Sequence, residues 1–440
     1  MNASFSTGNP FVYARALVPE ESIRRVEGER LLELAAGGHN AVLHAPRRFG
    51  KTTLLKQVLE DAAERDMPGV LVDLSDVLST GDVAARLEQA FRALPGSIRR
   101  LISKELGSVS AAGFGVARRS PPAVDPIATI HALLELPAQI ADRHGHRLLV
   151  VFDEFQALVN LDGMDGVFRS HIQHHVGVSY LFAGSEPSLL RALFEDRARP
   201  LYGQAERLQL GRLDQDATHG FVSRRFQETG KDAGEVVSEL VYVAEGHPQR
   251  LMLIAHLLWD RVDGRGVATW VDLRSAYDAA MRLVAPELRY LWESLSANER
   301  RVLAALASEL SPYREEARRL MGLANRSSAA RAVAGLEGKT IVERVDDGER
   351  LRVVDPLLAR WVRRHGGARL RVFVVPHGGA FAVTDGPSLA FLRSTHQTIG
   401  EAEAEADRIS AEGRGADVMI YDTNDPNDLP DWLLVRSGDP

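Results

Sequence analysis

Ala41-Val42-Leu43-His44-Ala45-Pro46-Arg47-Arg48-Phe49-Gly50-Lys51-Thr52-Thr53 is the stretch that decides how this chain is read. Its first four residues form an apolar run of strand length. From Thr52 onward, Leu54, Leu55, Val58 and Leu59 recur at helical spacing. Between the two, Ala45 to Thr52 has the spacing of a phosphate-binding loop, with Ala45 standing where that pattern has its first glycine. Each position has a physical job. Gly50 lets the backbone turn tightly, so that successive N–H groups can converge on a phosphate. Lys51 brings a point charge to the outer phosphates, and the Thr52 hydroxyl suits Mg²⁺. The positive end of the following helix adds attraction for an anion. Ala45, Pro46, Arg47, Arg48, Phe49, Gly50, Lys51, Thr52 and Thr53 are therefore read as a binding loop for ATP and Mg²⁺.

A second motif supports the first. Leu148-Leu149-Val150-Val151-Phe152 is a buried strand by composition, and Asp153-Glu154 closes it with two carboxylates. In open α/β sheets ligands bind at that carboxyl end. Asp153 is expected to orient Mg²⁺, and Glu154 to polarise an attacking water as general base. The plain alternative is an acidic strand end that caps the next helix. In Tyr180-Leu181-Phe182-Ala183-Gly184-Ser185, Ser185 follows another strand. There it could sense the γ-phosphate or hold the water, or equally cap a helix starting near Pro187. Among Arg191, Arg197 and Arg199, Arg197 is the preferred candidate to reach transition-state charge in its own or a neighbouring subunit. A solvated charge run is the alternative, and an arginine reaching into a neighbouring subunit is the case that calls for a homo-oligomer. The expected catalytic set is Lys51, Glu154, Ser185 and Arg197, with Thr52 and Asp153 for the metal.

Working outward, strands are expected at 69–74, 148–152, 178–182 and 207–210, with helices at 20–36 and between the strands. Buried strands alternating with helices imply a parallel sheet covered on both faces. Residues 106–125 are rich in Gly, Ser and Pro and read as a mobile insertion. After Asp214 the strands stop, and helices are expected at 220–230, 235–245, 249–259 and 272–283. Within them, Gly246-His247-Pro248 marks a helix entry, with Pro248 suited to the first helical position. Three further helices, near 298–306, 314–321 and 327–336, precede two short strands around Asp346-Asp347-Gly348 and a helix holding Trp361. Residues 369–435 read as strand, turn, strand, helix, strand. The division is a P-loop ATPase core at 1–213, a helical lid at 214–285, a winged-helix domain at 286–367 and a small α+β domain at 368–440.

Composition narrows the function. Hydrophobic residues make up 45% and charged residues 26% of 440, as expected for chains with real cores. A net charge of -7 excludes nucleic-acid binding by bulk attraction, so any such site must be a local patch. Residues 286–368 hold 15 Lys plus Arg against 12 Asp plus Glu, too small a surplus for a DNA-binding face. Arg326, Arg331 and Lys339 are the candidates there, and a protein-docking winged helix is the alternative. Zero cysteines exclude disulfides and thiolate chemistry, which suits a cytoplasmic protein. No apolar run approaches the roughly 18 residues of a membrane span. His171, His174 and His175 fall on one expected helix, and 171 and 175 share a face that permits metal binding. A plain helix surface is the preferred reading of them.

The motifs Ala45-Pro46-Arg47-Arg48-Phe49-Gly50-Lys51-Thr52, Asp153-Glu154-Phe155-Gln156, Ala183-Gly184-Ser185-Glu186-Pro187 and Gly246-His247-Pro248, in that order, resemble the archaeal-type ATPase family. That family also occurs in bacteria, within the wider AAA+ and STAND group. Asn9-Pro10-Phe11 is similar to its usual opening. The resemblance covers residues 9–365. It implies an ATP-hydrolysing core with lid and winged helix, and it places Gly246, His247 and Pro248 near the nucleotide. Two positions depart from the pattern: Ala45, and Ile23-Arg24-Arg25-Val26-Glu27 in place of the family's Gly-Arg-Glu element. The function expected is ATP hydrolysis driving a conformational switch on a macromolecular partner. The rivals are a nucleotide-gated DNA-binding regulator and a scaffold in a defence or signalling complex. The last domain is similar to a small uncharacterised bacterial domain that opens with Val-Val-Pro-His, and it is expected to act as a docking module.

Overall fold

The computed structural model describes residues 8–94, 96–101, 125–264, 266–320, 322–345, 348, 350–365, 371–377, 379–384, 392–412, 417–421 and 432–436. Two compact units result, Ala16–Gly211 and a second made of Met1–Arg15 with Arg212–Pro440.

The first unit is built on five strands: β1 (Ala41–His44), β2 (Gly69–Asp73), β3 (Leu148–Asp153), β4 (Val178–Gly184) and β5 (Glu206–Gln209). They lie in the order β2-β3-β4-β1-β5, and every neighbouring pair is parallel. The helices are α1 (Val26–Ala36), α2 (Lys51–Glu64), α3 (Thr80–Arg92), α4 (Gly96–Leu101), α5 (Pro126–His144), α6 (Met164–Ile172) and α7 (Pro187–Phe194). All of β3 and β4 is buried, as their predominantly apolar sequences favour. Because side chains alternate along a strand, Val150, Phe152, Tyr180 and Phe182 share one face. That face joins the core under α3, α5, α6 and α7. Phe152, Phe155, Phe168 and Phe182 meet there at ring-centroid distances of 4.6–5.8 Å. α1 and α2 pack against the sheet as well. The Ser179 hydroxyl donates to the Ala35 carbonyl at 2.7 Å.

The helix expected from residue 20 starts later, at Val26. Pro19–Glu21 makes one 3-10 turn, and Arg25 is extended. The reason is tertiary, since the Arg25 side chain is committed to backbone carbonyls elsewhere in the unit, as described below. Of the expected insertion at 106–125, only Asp125 is among the described residues. Its carboxylate accepts from the Ile127 N–H at 2.9 Å and caps α5.

The second unit begins with Asn9-Pro10-Phe11. Phe11 is fully buried, 5.3 Å from the Phe226 ring. Asn9 Nδ2 donates to His256 O at 2.9 Å and to Asp260 Oδ1 at 2.7 Å. These contacts place the described residues 8–15 with the helical unit, whereas the expected division puts them in the core. Then come α8 (Gln215–Glu228), α9 (Val236–Ala244), α10 (Pro248–Trp259) and α11 (Trp270–Ser294). The boundary expected between 285 and 286 falls inside α11, which runs through Pro286. A proline there removes one N–H, but it is exposed, so the orphaned carbonyl one turn back can turn to water. Capping boxes at Thr269/Asp272 and Ser296/Glu299 open α11 and α12 (Ala297–Ala307).

Next are α13 (Glu315–Leu320), α14 (Arg326–Gly338), the antiparallel pair β6 (Val342–Val345) and β7 (Arg350–Val353), and α15 (Pro356–His365). Lys339 Nζ is paired with Glu299 at 2.7 Å. Of the expected turn at 346–348, Gly348 alone is described. The chain ends in β8 (Arg371–His377), β9 (Ala380–Thr384), β10 (Leu392–His396), α16 (Ile399–Glu412), β11 (Asp417–Tyr421) and β12 (Trp432–Arg436). These strands form a sheet ordered β10-β9-β8-β11-β12, with β11 parallel to β8. Two of them, β10 and β12, exceed the strand, turn, strand, helix, strand expected. β10 lacks a sequence pattern because Leu392-Arg393-Ser394-Thr395-His396 carries no sustained apolar alternation.

Gly246-His247-Pro248 belongs to this unit and builds the entry to α10. Gly246 has φ 67°, and a Cβ there would lie 2.7 Å from the Leu213 carbonyl oxygen. The Leu213 N–H donates to Gly246 O at 2.9 Å. His247 caps the helix, its Nδ1 accepting from the Arg250 N–H at 3.3 Å, and Pro248 takes the first position. Arg250, 2% exposed, forks onto Asp355, with Nε 3.1 Å from Oδ1 and Nη2 2.5 Å from Oδ2. Burial alone would push the Asp355 carboxyl up, but the Arg250 charge and hydrogen bonds outweigh it and hold the group below its usual range.

Burial also pushes the His247 imidazole down to about 3; Asp355 opposes this, while Arg250 and Arg212 add to it. The unfolded histidine titrates near 6.5. Between those values the unfolded chain holds a proton that the folded chain lacks, so stability falls as pH drops through that window. The slope from this one group is about 1.4 kcal/mol per pH unit. His247→Asn keeps a capping oxygen without the titration. Its urea midpoint should fall less steeply than that of the wild type between pH 6 and 4, and parallel profiles would show that the folded His247 takes up its proton normally.

Candidate active site

The phosphate loop lies between β1 and α2, as read from the sequence. Its departure at Ala45 is explained by backbone geometry. The positive φ angles of the loop fall at Arg48 (70°) and Gly50 (81°), and Ala45 is not among the positive-φ residues. Ala45 is fully buried, and its N–H donates to Gly184 O at 3.3 Å, so a methyl group is accommodated where the pattern has glycine. Gly50 is the left-handed residue before α2, the conformation for which a Cβ is costly. Pro46 and Phe49 are buried, while Arg47 and Arg48 are exposed; Arg47 lies 3.3 Å from Glu186. Thr53 faces inward, its hydroxyl accepting from the Leu17 N–H at 3.1 Å.

The strand order brings the second motif to the same place. β4 separates β1 from β3, so three adjacent strands end side by side. Lys51 Nζ hydrogen-bonds both Asp153 Oδ1 and Glu154 Oε1. The Thr52 hydroxyl donates to Asp153 Oδ2 at 3.1 Å. Ser185, at the end of β4, donates from Oγ to Glu154 Oε2 at 2.8 Å. It does not cap α7, whose N-cap is Glu186. Glu154 does not continue a regular strand end either. It has φ 54°, a left-handed conformation costing about 1 kcal/mol for a residue with a Cβ, and its N–H donates to Asp153 Oδ1 at 2.9 Å.

The charges explain the protonation state. Burial works to push the Glu154 carboxyl up. The Lys51 charge and hydrogen bonds from Lys51, Gln156 and Ser185 outweigh it and leave Glu154 below its ordinary value. Glu154 is therefore held toward its charged form beside Lys51. Two carboxyl groups and a threonine hydroxyl thus stand together beside Lys51. That hard oxygen donor set fits Mg²⁺.

Two contributors escaped the sequence reading. Gln156 is 6% exposed, and its Nε2 donates to Glu154 Oε2. The residue was visible in Asp153-Glu154-Phe155-Gln156 but had no assigned role. Arg25 donates to the phosphate-loop carbonyl of Phe49 at 3.0 Å and to Gly211 O at 2.6 Å, while Glu27 accepts from the Gly211 N–H at 3.0 Å. The divergent Arg-Glu element therefore braces the loop. Arg197 is not drawn in. It is exposed in the turn after α7, and its neighbour Arg199 pairs with Asp165 at 3.2 Å. Gly246, His247 and Pro248 build the entry to α10 described above.

No family model matches this chain, and no curated protein matches it. Solved structures do. A Walker-type ATPase of Pyrococcus abyssi aligns with a TM-score of 0.60 at 20% identity, over 80% of this chain and 99% of that one. The ORC2 protein of Aeropyrum pernix in its ADP form aligns with a TM-score of 0.47 at 14% identity, over 80% of this chain and 97% of that one. At such identities the likeness speaks for the fold alone. The parallel strand order and the phosphate loop between β1 and α2 are those of the P-loop fold, which the likeness to the Pyrococcus abyssi structure supports.

Proposed function

We propose that this chain binds ATP with Mg²⁺ at Ala45–Thr53 and hydrolyses it to drive a conformational switch acting on a macromolecular partner. One observation carries the reading. Lys51, Thr52, Asp153, Glu154 and Ser185 arrive from three adjacent strand ends and hydrogen-bond as one cluster. In this reading Thr52 and Asp153 hold Mg²⁺, which supplies neutralisation of phosphate charge. Lys51 serves the outer phosphates. Glu154, kept ionised and oriented by Ser185 and Gln156, polarises the attacking water.

The same cluster supplies a reason for a switch. An arriving triphosphate competes with Asp153 and Glu154 for the charge of Lys51, so nucleotide-bound and nucleotide-free states favour different side-chain arrangements. Arg25 joins the phosphate loop to Gly211, the last residue of the unit, where the chain leaves for the helices. Motion in the loop has a covalent continuation there. A protein partner is favoured over DNA, because Lys339, one of the three expected DNA contacts, is already paired with Glu299. No helix among the described residues is long and apolar enough to cross a membrane.

Lys51→Ala is expected to abolish binding of a fluorescent ATP analogue. Glu154→Gln should bind it normally while phosphate release falls at least about 100-fold, the range for loss of a general base. Undiminished hydrolysis in both variants would sink the assignment. Gly184→Ala tests the support of Glu154. A Cβ at 184 would lie 2.1 Å from Gln156 Oε1 and 2.8 Å from Leu190 Cδ1, so Gln156 must shift. Turnover should drop about tenfold, equal to roughly 1.4 kcal/mol, with nucleotide affinity retained. Unchanged turnover would mean that Gln156 has no part in positioning Glu154.

A further inference from the structure

We propose that Glu135, His171 and His175 form a binding site for one divalent transition-metal ion, Zn²⁺ foremost, separate from the nucleotide site. One ligand atom from each of the three side chains falls within 4.8 Å of the others. His171 Nδ1 lies 2.6 Å from Glu135 Oε1, and His175 Nε2 lies 3.9 Å from Glu135 Oε2. Around a tetrahedral zinc with bonds of about 2.0–2.1 Å, ligand atoms sit roughly 3.3 Å apart. These two spacings lie on either side of that value and the remaining pair is within 4.8 Å, so side-chain adjustments of up to about 1.5 Å would close the site.

The sequence reading took these histidines as helix surface, on one helix. The structure places them otherwise. α6 ends at Ile172, and His175 follows in a turn whose N–H reaches Ile172 O at 3.3 Å. His171 is buried, and α5 brings Glu135 to it from across the fold.

The opposite nitrogens of both rings are also engaged. His171 Nε2 faces His131 Nδ1 at 2.8 Å, and His175 Nδ1 faces the Tyr180 hydroxyl at 2.6 Å. A histidine that ligates a metal through one nitrogen keeps the other N–H on an acceptor, which fixes the tautomer and the ring plane. In this site His171 ligates through Nδ1 and donates from Nε2 to His131. His175 ligates through Nε2 and donates from Nδ1 to the Tyr180 oxygen. The third histidine of the run lacks such an arrangement: His174 is exposed and turned to Gln173 at 3.1 Å.

Donor chemistry selects the ion. Two imidazoles and one carboxylate suit Zn²⁺ and its late first-row neighbours, whereas Mg²⁺ prefers oxygen alone. With zero cysteines, imidazole is the softest donor the chain offers outside methionine, and this site has two. The side chain of Glu135 is 51% exposed, which leaves the fourth coordination position open to water. His175 precedes the first residue of β4, and the nucleotide-site residues Gly184 and Ser185 lie at the other end of that strand. The ion therefore acts as a clip between α5 and the segment entering β4, remote from the phosphate chemistry.

The test uses full-length protein freed of metal by a chelator and then titrated with Zn²⁺, followed by calorimetry and by thermal melting. Wild type and the control His174→Ala should each bind one equivalent per chain at micromolar affinity or tighter, with a rise in Tm that Mg²⁺ does not reproduce. Glu135→Gln, nearly isosteric and half-exposed, and His175→Ala should each lose at least tenfold in affinity and most of the Tm rise. Their unliganded far-UV spectra and melts should show that both are folded before zinc is added. Absence of saturable binding to the wild type overturns the site. So does undiminished binding in either ligand variant, or an equal loss in His174→Ala.

Discussion

Two acidic side chains and one lysine, Asp153, Glu154 and Lys51, meet at the end of a buried sheet, and much of the first unit serves that meeting. Taking such charges out of water is costly, and they are tolerated only where each is paired and hydrogen-bonded. The structure meets the requirement from several directions. Thr52 bonds the outer oxygen of Asp153, while Ser185 and Gln156 bond the outer oxygen of Glu154. Lys51 is 7% exposed, so a single cation sits where both carboxylates can use it. The strained backbone at Glu154 is the local cost of turning that side chain back toward the lysine.

The buried strands explain why the cluster is held firmly. β3 and β4 are buried along their whole length, so they end at defined heights relative to each other. The register Phe152 opposite Phe182 fixes the carboxylates against Gly184 and Ser185. Gly184 is small for a steric reason, since Gln156 and Leu190 occupy the space a side chain would need. Arg25 and Glu27 do the corresponding work for the loop, bonding Phe49 and Gly211.

A similar economy of buried charge organises the helical unit. Arg250 is forked onto Asp355, and Arg212 reaches Glu343 at 2.8 Å and the carbonyls of Glu245, Val353 and Val354 at 2.7–3.0 Å. The first helices of the unit, the hairpin and α15 are thereby tied together by guanidinium groups. His247, expected from its motif to lie near the nucleotide, is buried and caps α10 beside this network.

The phosphate loop, the Asp153-Glu154 pair, the parallel α/β class and the change to helices after Asp214 were all legible in the sequence. Each depends on residue types within a few positions of one another, where periodicity and spacing report directly on backbone geometry. Less was legible where distance in the chain replaced spacing. α11 continues through Pro286 because that proline is exposed, and exposure is a property of the packed molecule. Gln156 and Arg25 acquired their roles from neighbours brought by strand order. Glu135 meets His171 across 36 residues, and only the packing of α5 against α6 makes that contact. The sequence by itself determined which chemistry stands at each strand end. The tertiary structure alone decided which strand ends lie side by side, because periodicity shows which face of an element is buried and carries no record of what it is buried against.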